Sequence, residues 1–472
     1  LEIFSYALFV LTLSIKCKYS NQETAMIYKL NSDVSLNNCV SDVISDYQPS
    51  LFKYENRKSA KELRVLSLFS GCGGMDIGFE GGFICHRKSV NQEKDWIEHE
   101  INNDWVRLRK NRFKTIFAND ILKEALLSWE NYMSRYNIGS DTFYFQSIVE
   151  LVKLHKIGAF SFPEDVDVVT GGFPCQDFSV AGKRLGFESK KMHDGTIRET
   201  EASSEETRGK LYYWMKQVID IVKPKMFIAE NVKGLVNLGN VKDIIQRDFS
   251  EAGEKGYIVL PPQVLDAGNY GVPETRERVI FIGIRKSALN EKALKILESD
   301  NIPQEYSPYP MPTHNHSAND NTLLPPVVCR DVFKGIKEPE DSGDLSQKFY
   351  SKAKYMGKHC QGQSEINLDG LAPTIRSEHH GNIEYRRLST MHGGQNEEEL
   401  NQGLSERRLT PRECALIQTF PPDYPFVTYK RGTKAFRVSP SGAYKVIGNA
   451  VPPVLAYNIA KRIEDIWSLY FG

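Results

Sequence analysis

Five short stretches of the chain carry residue types that do chemistry. The first is Val168–Gln176, VVTGGFPCQ, where Cys175 follows Pro174 just after an apolar run closed by Gly171 and Gly172. A thiolate is the strongest ordinary side-chain nucleophile, and its reactivity follows its ionisation and exposure. A cysteine at the carboxyl end of a parallel strand lies in the crevice where α/β folds bind ligands. A buried core thiol is the alternative. The second is Glu230-Asn231-Val232, after the apolar run MFIA. Its carboxylate would face the same crevice if that run is a strand of the same sheet; otherwise it is a surface loop acid. The third is Arg276-Glu277-Arg278, entering the run VIFIG. Two arginines at i and i+2 on a strand point the same way, toward a site or toward solvent at an edge. The fourth is Phe69-Ser70-Gly71-Cys72-Gly73-Gly74. Glycines after a first strand let backbone approach a ligand, and the next helix offers free amides. The glycine spacing does not meet the GxGxxG fingerprint cleanly, so a tight turn is equally consistent. The fifth is Asn119-Asp120, where a second strand should end and an acid would bind ribose hydroxyls. The fourth and fifth stretches together suggest an adenosine-containing cofactor.

These residues need a scaffold that brings strand ends together. From Leu63 the chain alternates apolar runs with amphipathic stretches: LRVLSL, then TIFAND, DVDVVTGG, KMFIAEN and RVIFIGIR. Strands alternating with helices at this spacing predict a parallel α/β sheet covered on both faces. After Arg285 the rhythm breaks into Pro/Asn/His clusters and charge runs, which predicts a second, irregular domain. The tail AYKVIGNAVPPVLAYNIAKRIEDIWSLY ends in an amphipathic helix able to close back on the first domain. The polar stretch Lys190–Thr207 reads as a loop insertion, and no internal repeat is found.

Composition sets outer bounds. The 472 residues carry 60 basic and 60 acidic side chains, so any basic groove for nucleic acid must be local. The eight cysteines form no CxxC pair and no zinc spacing, which predicts no metal and reduced thiols in a cytoplasmic protein. Residues 1–62 read as an N-terminal extension. Its apolar start, LEIFSYALFVLTLSI, is short for a membrane span and lacks a positive leading region and a clear cleavage site. Met26 is the expected natural start, with a docked accessory helix as the other reading.

The ordered series FSGCGG, GGFPCQDFS, AENVKGL, YGVPETRERVIFIG, RLTPRECALIQTFP and GNAVPP resembles the DNA (cytosine-5-)-methyltransferase family, in its bacterial restriction-modification form. The resemblance covers about residues 63–285 and 408–465. It implies a Rossmann-like S-adenosyl-L-methionine-dependent sheet over 63–285. A smaller irregular target-recognition domain and hinge would follow over 286–435, and a C-terminal segment, 436–472, would return to the first domain. Phe69, Gly71, Gly73 and Gly74 would line the cofactor site, with Asp120 on the ribose, Ile121 beside it, and Asn449, Ala450 and Val451 closing the pocket. Cys175 would add to carbon-6 of cytosine, activating carbon-5 toward the methylsulfonium. Glu230 would hold a proton against ring nitrogen 3 and contact the exocyclic amine. Arg276 would bind the ring carbonyl oxygen, and Arg278 would order Cys175 and Glu230. The target base must leave the duplex stack, at a cost of a few kcal/mol. Gln176, Ser179, Lys183, Arg184, Thr374 and Arg376 would contact DNA, with Arg386 and Arg387 further candidates; Arg408, Thr410, Arg412 and Glu413 would be structural. The implied partners are double-stranded DNA and a cognate restriction endonuclease, with a monomeric enzyme and no membrane.

Two departures stand out. Glu274 occupies a position where the family often has glutamine, and glutamate cannot donate as glutamine does. The third strand, which usually ends in an aspartate for the adenine amine, ends here at Gln146-Ser147, leaving Ser147 to make that bond without charge. The competing readings are an RNA cytosine-5 methyltransferase, whose branch carries a Cys-Phe-Thr tripeptide absent here, and a catalytically inactive DNA-binding relative. A dinucleotide-binding oxidoreductase would leave Cys175, Glu230 and Arg276 unexplained.

Overall fold

The computed structural model describes residues 41–44, 61–139, 141–174, 211–377 and 383–472. Strand β1 (Leu63–Leu68) is buried at every position but Arg64, as a strand covered on both faces must be. After the helix Gly74–Glu80 come β2 (Ile84–His86), β3 (Ile97–Glu100) and β4 (Trp105–Leu108). These three form a small antiparallel sheet in the order β2-β4-β3, which the alternation of runs does not predict. The main sheet continues with β5 (Phe113–Asp120), β6 (Phe143–Phe145), β7 (Val168–Gly172) and β8 (Met226–Val232). These four and β1 run parallel.

The expected parallel α/β sheet forms, with an antiparallel margin that the sequence pattern does not mark. Strands β9 (Tyr257–Val259), β10 (Gln263–Asp266) and β12 (Glu277–Arg285) complete the main sheet, and β12 lies antiparallel to β8. Both β9 and β10 pair antiparallel to β12. The order is β10-β12-β8-β7-β1-β5-β6, a parallel core with an antiparallel margin, a common variant of such sheets. The reversal matters, because it brings the start of β12 to the same edge of the sheet as the ends of β7 and β8.

Alternation along the strands builds the core. Val65, Val168, Ile228 and Ile280 face one apolar cluster, while Leu66, Val169, Phe227 and Phe281 face the other. Successive residues point to opposite faces of a strand, and burying one such side chain contributes about 1.5–3 kcal/mol. The helices Ile148–Lys156, Leu211–Val222 and Val241–Ser250 supply the second cluster. The helices Gly74–Glu80, Lys123–Met133 and Pro453–Phe471 supply the first, and the last packs on Gly74–Glu80. That cluster runs on without a break into Tyr306, Phe333, Leu416 and Phe426.

Part of the sequence read as an extension is docked. Val43 and Ile44 are buried in the same cluster. The Asp42 carboxylate accepts from Ser342 Oγ at 2.8 Å, and Asn102 Nδ2 donates to the Val43 carbonyl at 3.2 Å.

Candidate active site

The ends of β1, β5, β7 and β8 open onto one cavity of about 430 Å³. Four strand ends converge because parallel strands all present their carboxyl termini on one edge. Asn119 fixes two of the loops there, those after β1 and β6. Its Oδ1 accepts from Phe69 N–H, its Nδ2 donates to the Gln146 carbonyl at 2.8 Å, and its own N–H donates to Ser70 Oγ. Phe69 is held at φ 53°, a strained region for a bulky residue that costs of order 1–3 kcal/mol and clusters at functional sites. Phe69 lines the cavity wall.

The next turn carries the chain into the helix Gly74–Glu80. Asp76, in its first turn, accepts from Ser67 Oγ at 2.6 Å and Trp129 Nε1 at 2.7 Å. Burial pushes the Asp76 carboxyl up to about 6 despite those bonds. A Cβ on Gly74 would lie 2.3 Å from the Val451 carbonyl oxygen, so only glycine lets this helix start meet the C-terminal segment. Gly73 does not line the cavity; its φ of 82° makes the turn against Trp129. Asp120 accepts from Gly71 N–H at 3.0 Å and Leu122 N–H at 2.9 Å. Burial raises its carboxyl above the ordinary carboxylate range. Ile121 is half-exposed on the wall beside it, and Ser147 caps the helix Ile148–Lys156, its Oγ accepting from Val149 N–H. Asn449, Ala450 and Val451 close this end, as does Lys445, which the sequence reading did not single out.

These residues fit a nucleoside-bearing cofactor. An acid is fixed for paired hydroxyls, Phe69, Ile121 and Ile148 offer apolar surface to a base, and backbone approaches closely at Gly71 and Gly74. Thr170 Oγ1, on the same wall, is buried with no hydrogen-bond partner among the described residues. A buried polar atom left so points to a missing partner.

The other end of the cavity holds Glu230, Arg278, Thr374 and Arg376. Glu230 pairs across β7 with Gly172 and across β12 with Ile280. A Cβ on Gly172 would sit 2.8 Å from Glu230 Oε2. The glycine before Phe173-Pro174 is therefore room for the carboxylate. Arg278 Nε donates to Glu230 Oε1 at 2.9 Å, with both side chains about one-tenth exposed. Burial pushes the Glu230 carboxyl up, opposed by Arg278 and more weakly by Arg276. The upward shift favours the protonated carboxyl relative to an exposed glutamate. Asn231 Nδ2 donates to the Phe173 carbonyl at 3.1 Å and so fixes the chain at the approach to Cys175. Cys175 itself, with Gln176, Ser179, Lys183 and Arg184, lies outside the described residues.

Arg278 meets Glu230 as the resemblance implied, whereas Arg276 is not placed where it could reach a ring carbonyl. Arg276 is fully buried and off the cavity wall, its guanidinium spent on the carbonyls of Ile375, Gly448 and Ala450. It lies between β11 (Glu274–Thr275) and β12. The chain is not one strand there, so the i, i+2 rule does not hold. Arg278, inside β12, is the arginine that reaches the cavity. Two further expectations fall. Arg387 is buried in ion pairs with Glu338 and Glu399, and Arg386 is spent on Glu399. Neither is free for phosphate or guanine. Arg376 remains on the cavity wall, 3.4 Å from Glu384. Thr374 Oγ1 donates to the Thr275 carbonyl at 2.6 Å.

A family model described as C-5 cytosine-specific DNA methylase matches residues 63–465. The chain is 29% identical over 458 residues to Type II methyltransferase M.BspRI of Lysinibacillus sphaericus, covering 96% of this chain and 92% of that protein. It is 30% identical over 420 residues to Type II methyltransferase M.BsuRI of Bacillus subtilis, covering 87% of this chain and 81% of that protein. Among solved structures, a DNMT2 mutant from Spodoptera frugiperda superposes with a TM-score of 0.51 at 15% identity, over 85% of this chain and 99% of that one. That likeness bears on the fold alone.

Proposed function

Because the chain belongs to the C-5 cytosine-specific DNA methylase family and so methylates carbon-5 of cytosine in DNA from S-adenosyl-L-methionine, we propose how its own residues do so. The observation that carries the proposal is the Glu230–Arg278 pair, buried in the cavity that also holds Asp120 and the Phe69–Gly74 turn. The cofactor supplies an electrophilic methyl group. Phe69, Asp120, Ile121, Ser147 and the 449–451 backbone bind and orient it at one end. A cytosine flipped from the duplex enters the other. Glu230 donates its proton to ring nitrogen 3 and accepts from the exocyclic amine, which selects cytosine over thymine. Arg278 donates to the ring carbonyl oxygen, the role first expected of Arg276. Cys175, next in sequence after the cavity-lining Pro174, adds its thiolate to carbon-6, and the electron pair released passes toward the carbonyl and nitrogen 3, where Arg278 and Glu230 receive it. After transfer the carbon-5 proton leaves and the Cys175–carbon-6 bond breaks.

Thr374 and Arg376 stand beside the flipped nucleotide, and residues 286–435 carry recognition of a short double-stranded sequence. The relatives are Type II methyltransferases, which supports pairing of this enzyme with a cognate restriction endonuclease; on this reading it works as a monomer in the cytoplasm. No helix among the described residues is long and apolar enough to cross a membrane.

The test is expression in a methylation-free bacterial host followed by bisulfite sequencing. Protected cytosines should fall in one short motif. Cys175→Ser should abolish protection, with turnover down by at least about 10⁴-fold, while DNA binding persists. Protection at full level with Cys175→Ser would remove the thiolate from the mechanism.

A further inference from the structure

The two ends of the cavity are made by segments far apart in sequence, and one buried pair joins them. Glu274 is fully buried in β11. Its Oε1 accepts from Ile375 N–H at 2.6 Å and from Arg276 Nη1 at 3.3 Å. Arg276 in turn donates to the Ile375 carbonyl at 3.0 Å, the Gly448 carbonyl at 2.8 Å and the Ala450 carbonyl at 2.7 Å. Ile375, Gly448 and Ala450 all line the cavity. The first stands between Thr374 and Arg376 at the base end, and the other two flank Asn449 at the cofactor end. Parallel pairing of β11 with β13 (Ala372–Pro373) brings Glu274 opposite Ala372. The walls meet so closely that a Cβ on Gly448 would lie 2.2 Å from the Arg376 carbonyl.

We propose that Glu274 is a positioning residue that, through Arg276, locks the base-side wall at 374–376 to the cofactor-side wall at 448–450. The proposal deepens the methyl-transfer reading above and rests on it. An arginine able to bridge three carbonyls is a fork with five donors. Held in the interior, its charge needs a counter-charge, because breaking a buried pair leaves the partner uncompensated. Glu274 is the carboxylate in contact with it. A neutral residue there would leave Arg276 to the field of Glu230, the other acid acting on it. Glu274 thus sets the geometry of both walls and keeps the Arg276 charge from bearing on Glu230 alone.

The experiment uses the full chain carrying Glu274→Ala, Glu274→Gln or Arg276→Lys. Backbone amide exchange is followed by mass spectrometry on unliganded protein. Dissociation constants for S-adenosyl-L-methionine and for a duplex containing the target site are measured separately by binding. Glu274→Ala and Arg276→Lys are expected to deprotect the segments 372–377 and 446–451 together while 277–285 stays protected, and each to weaken cofactor and duplex by about tenfold or more. Glu274→Gln keeps the acceptor for Ile375 and Arg276 but not the counter-charge, and should weaken both ligands together but less than Glu274→Ala. It should also move the pH profile of turnover downward, because the uncompensated Arg276 charge now favours ionised Glu230. Weakening of one ligand alone, or exchange rising evenly across the chain, overturns the proposal. If Glu274→Ala does not fold, Arg276→Lys and Glu274→Gln decide by the same readouts. Because exchange and binding need no methyl transfer, failure of the wild type to methylate DNA would count against the functional reading and leave the lock still judged.

Discussion

Replacing Arg278 by alanine should separate two jobs of one guanidinium, the pairing with Glu230 that the structure shows and the proposed donation to the ring carbonyl oxygen. Arg278 Nε lies 2.9 Å from Glu230 Oε1, with both side chains about one-tenth exposed. Charge centres about 4 Å apart at an effective dielectric near 20 interact by about 4 kcal/mol. The rim of solvent and the second cation at Arg276 reduce what is lost, so half of that, about 2 kcal/mol or ~1.5 pH units, is the expected change. The sign follows from the charge removed. Taking a cation from a carboxylate makes it keep its proton to higher pH, and activity that needs the protonated Glu230 is lost only as pH rises through its folded value. The alkaline limb of kcat/KM should therefore move up by about 1.5 units. The plateau should fall about 10²–10³-fold, because the donor to the ring carbonyl is gone. The assay is transfer of labelled methyl groups to a duplex with one target site, between pH 5.5 and 9.5. Glu230→Gln is the control that should lose the limb altogether. A plateau that falls while the limb stays where it was would refute the reasoning, since Glu230 would then titrate without regard to its nearest cation.

Gly74→Ala places a Cβ 2.3 Å from the Val451 carbonyl oxygen; the helix start and the C-terminal segment must part, at a cost of about 1–3 kcal/mol. Calorimetric titration should show S-adenosyl-L-methionine binding weakened by about 5–150-fold, with duplex binding little changed. Glu80 is buried against β5, accepts from Thr115 N–H, and burial raises its carboxyl to about 7. A raised folded value means that stability is fully present below about 4.5 and is lost as pH rises to about 7, up to about 3 kcal/mol. Glu80→Gln should accordingly flatten the decline of Tm over that window in thermal scans, and an equally steep decline in the variant would contradict it.

The lining of the cavity was legible where polar residues sit at or near the end of a strand. Asp120, Glu230 and the Phe69–Gly74 turn follow apolar runs; β1 ends just before that turn, β5 ends on Asp120, and β8 runs two residues past Glu230. Legibility failed where the backbone departs from a repeating pattern. Arg276 and Arg278 looked equivalent until the break between β11 and β12 turned the first into the interior. Arg386 and Arg387 looked like phosphate ligands because their partners, Glu338 and Glu399, lie 49 and 12 residues from Arg387; ion pairs of that range leave no local trace. Lys445 and Thr170 were missed because neither sits in a pattern of its own; only the cavity defines them. The reversal of β12 was equally hidden, since an apolar run reads the same in either direction.

The docked segment at 41–44 bears on how such enzymes can be cut and joined. Asp42 holds Ser342, and Val43 takes the amide of Asn102, so a piece of chain ahead of the first strand staples residues near 340 to the small antiparallel sheet. Lys88 and Lys334 repeat the link through Asp331 and Asp104. The segment 286–435 is therefore not a cassette with two seams at its ends in sequence. A chimera that exchanges only residues 286–435 severs these staples and the pairing of β11 with β13, and inherits a donor module with no matching sockets. A graft that carries 41–44, 85–108 and 274–276 with it transfers the whole joint, and its boundaries follow the contacts instead of the motifs.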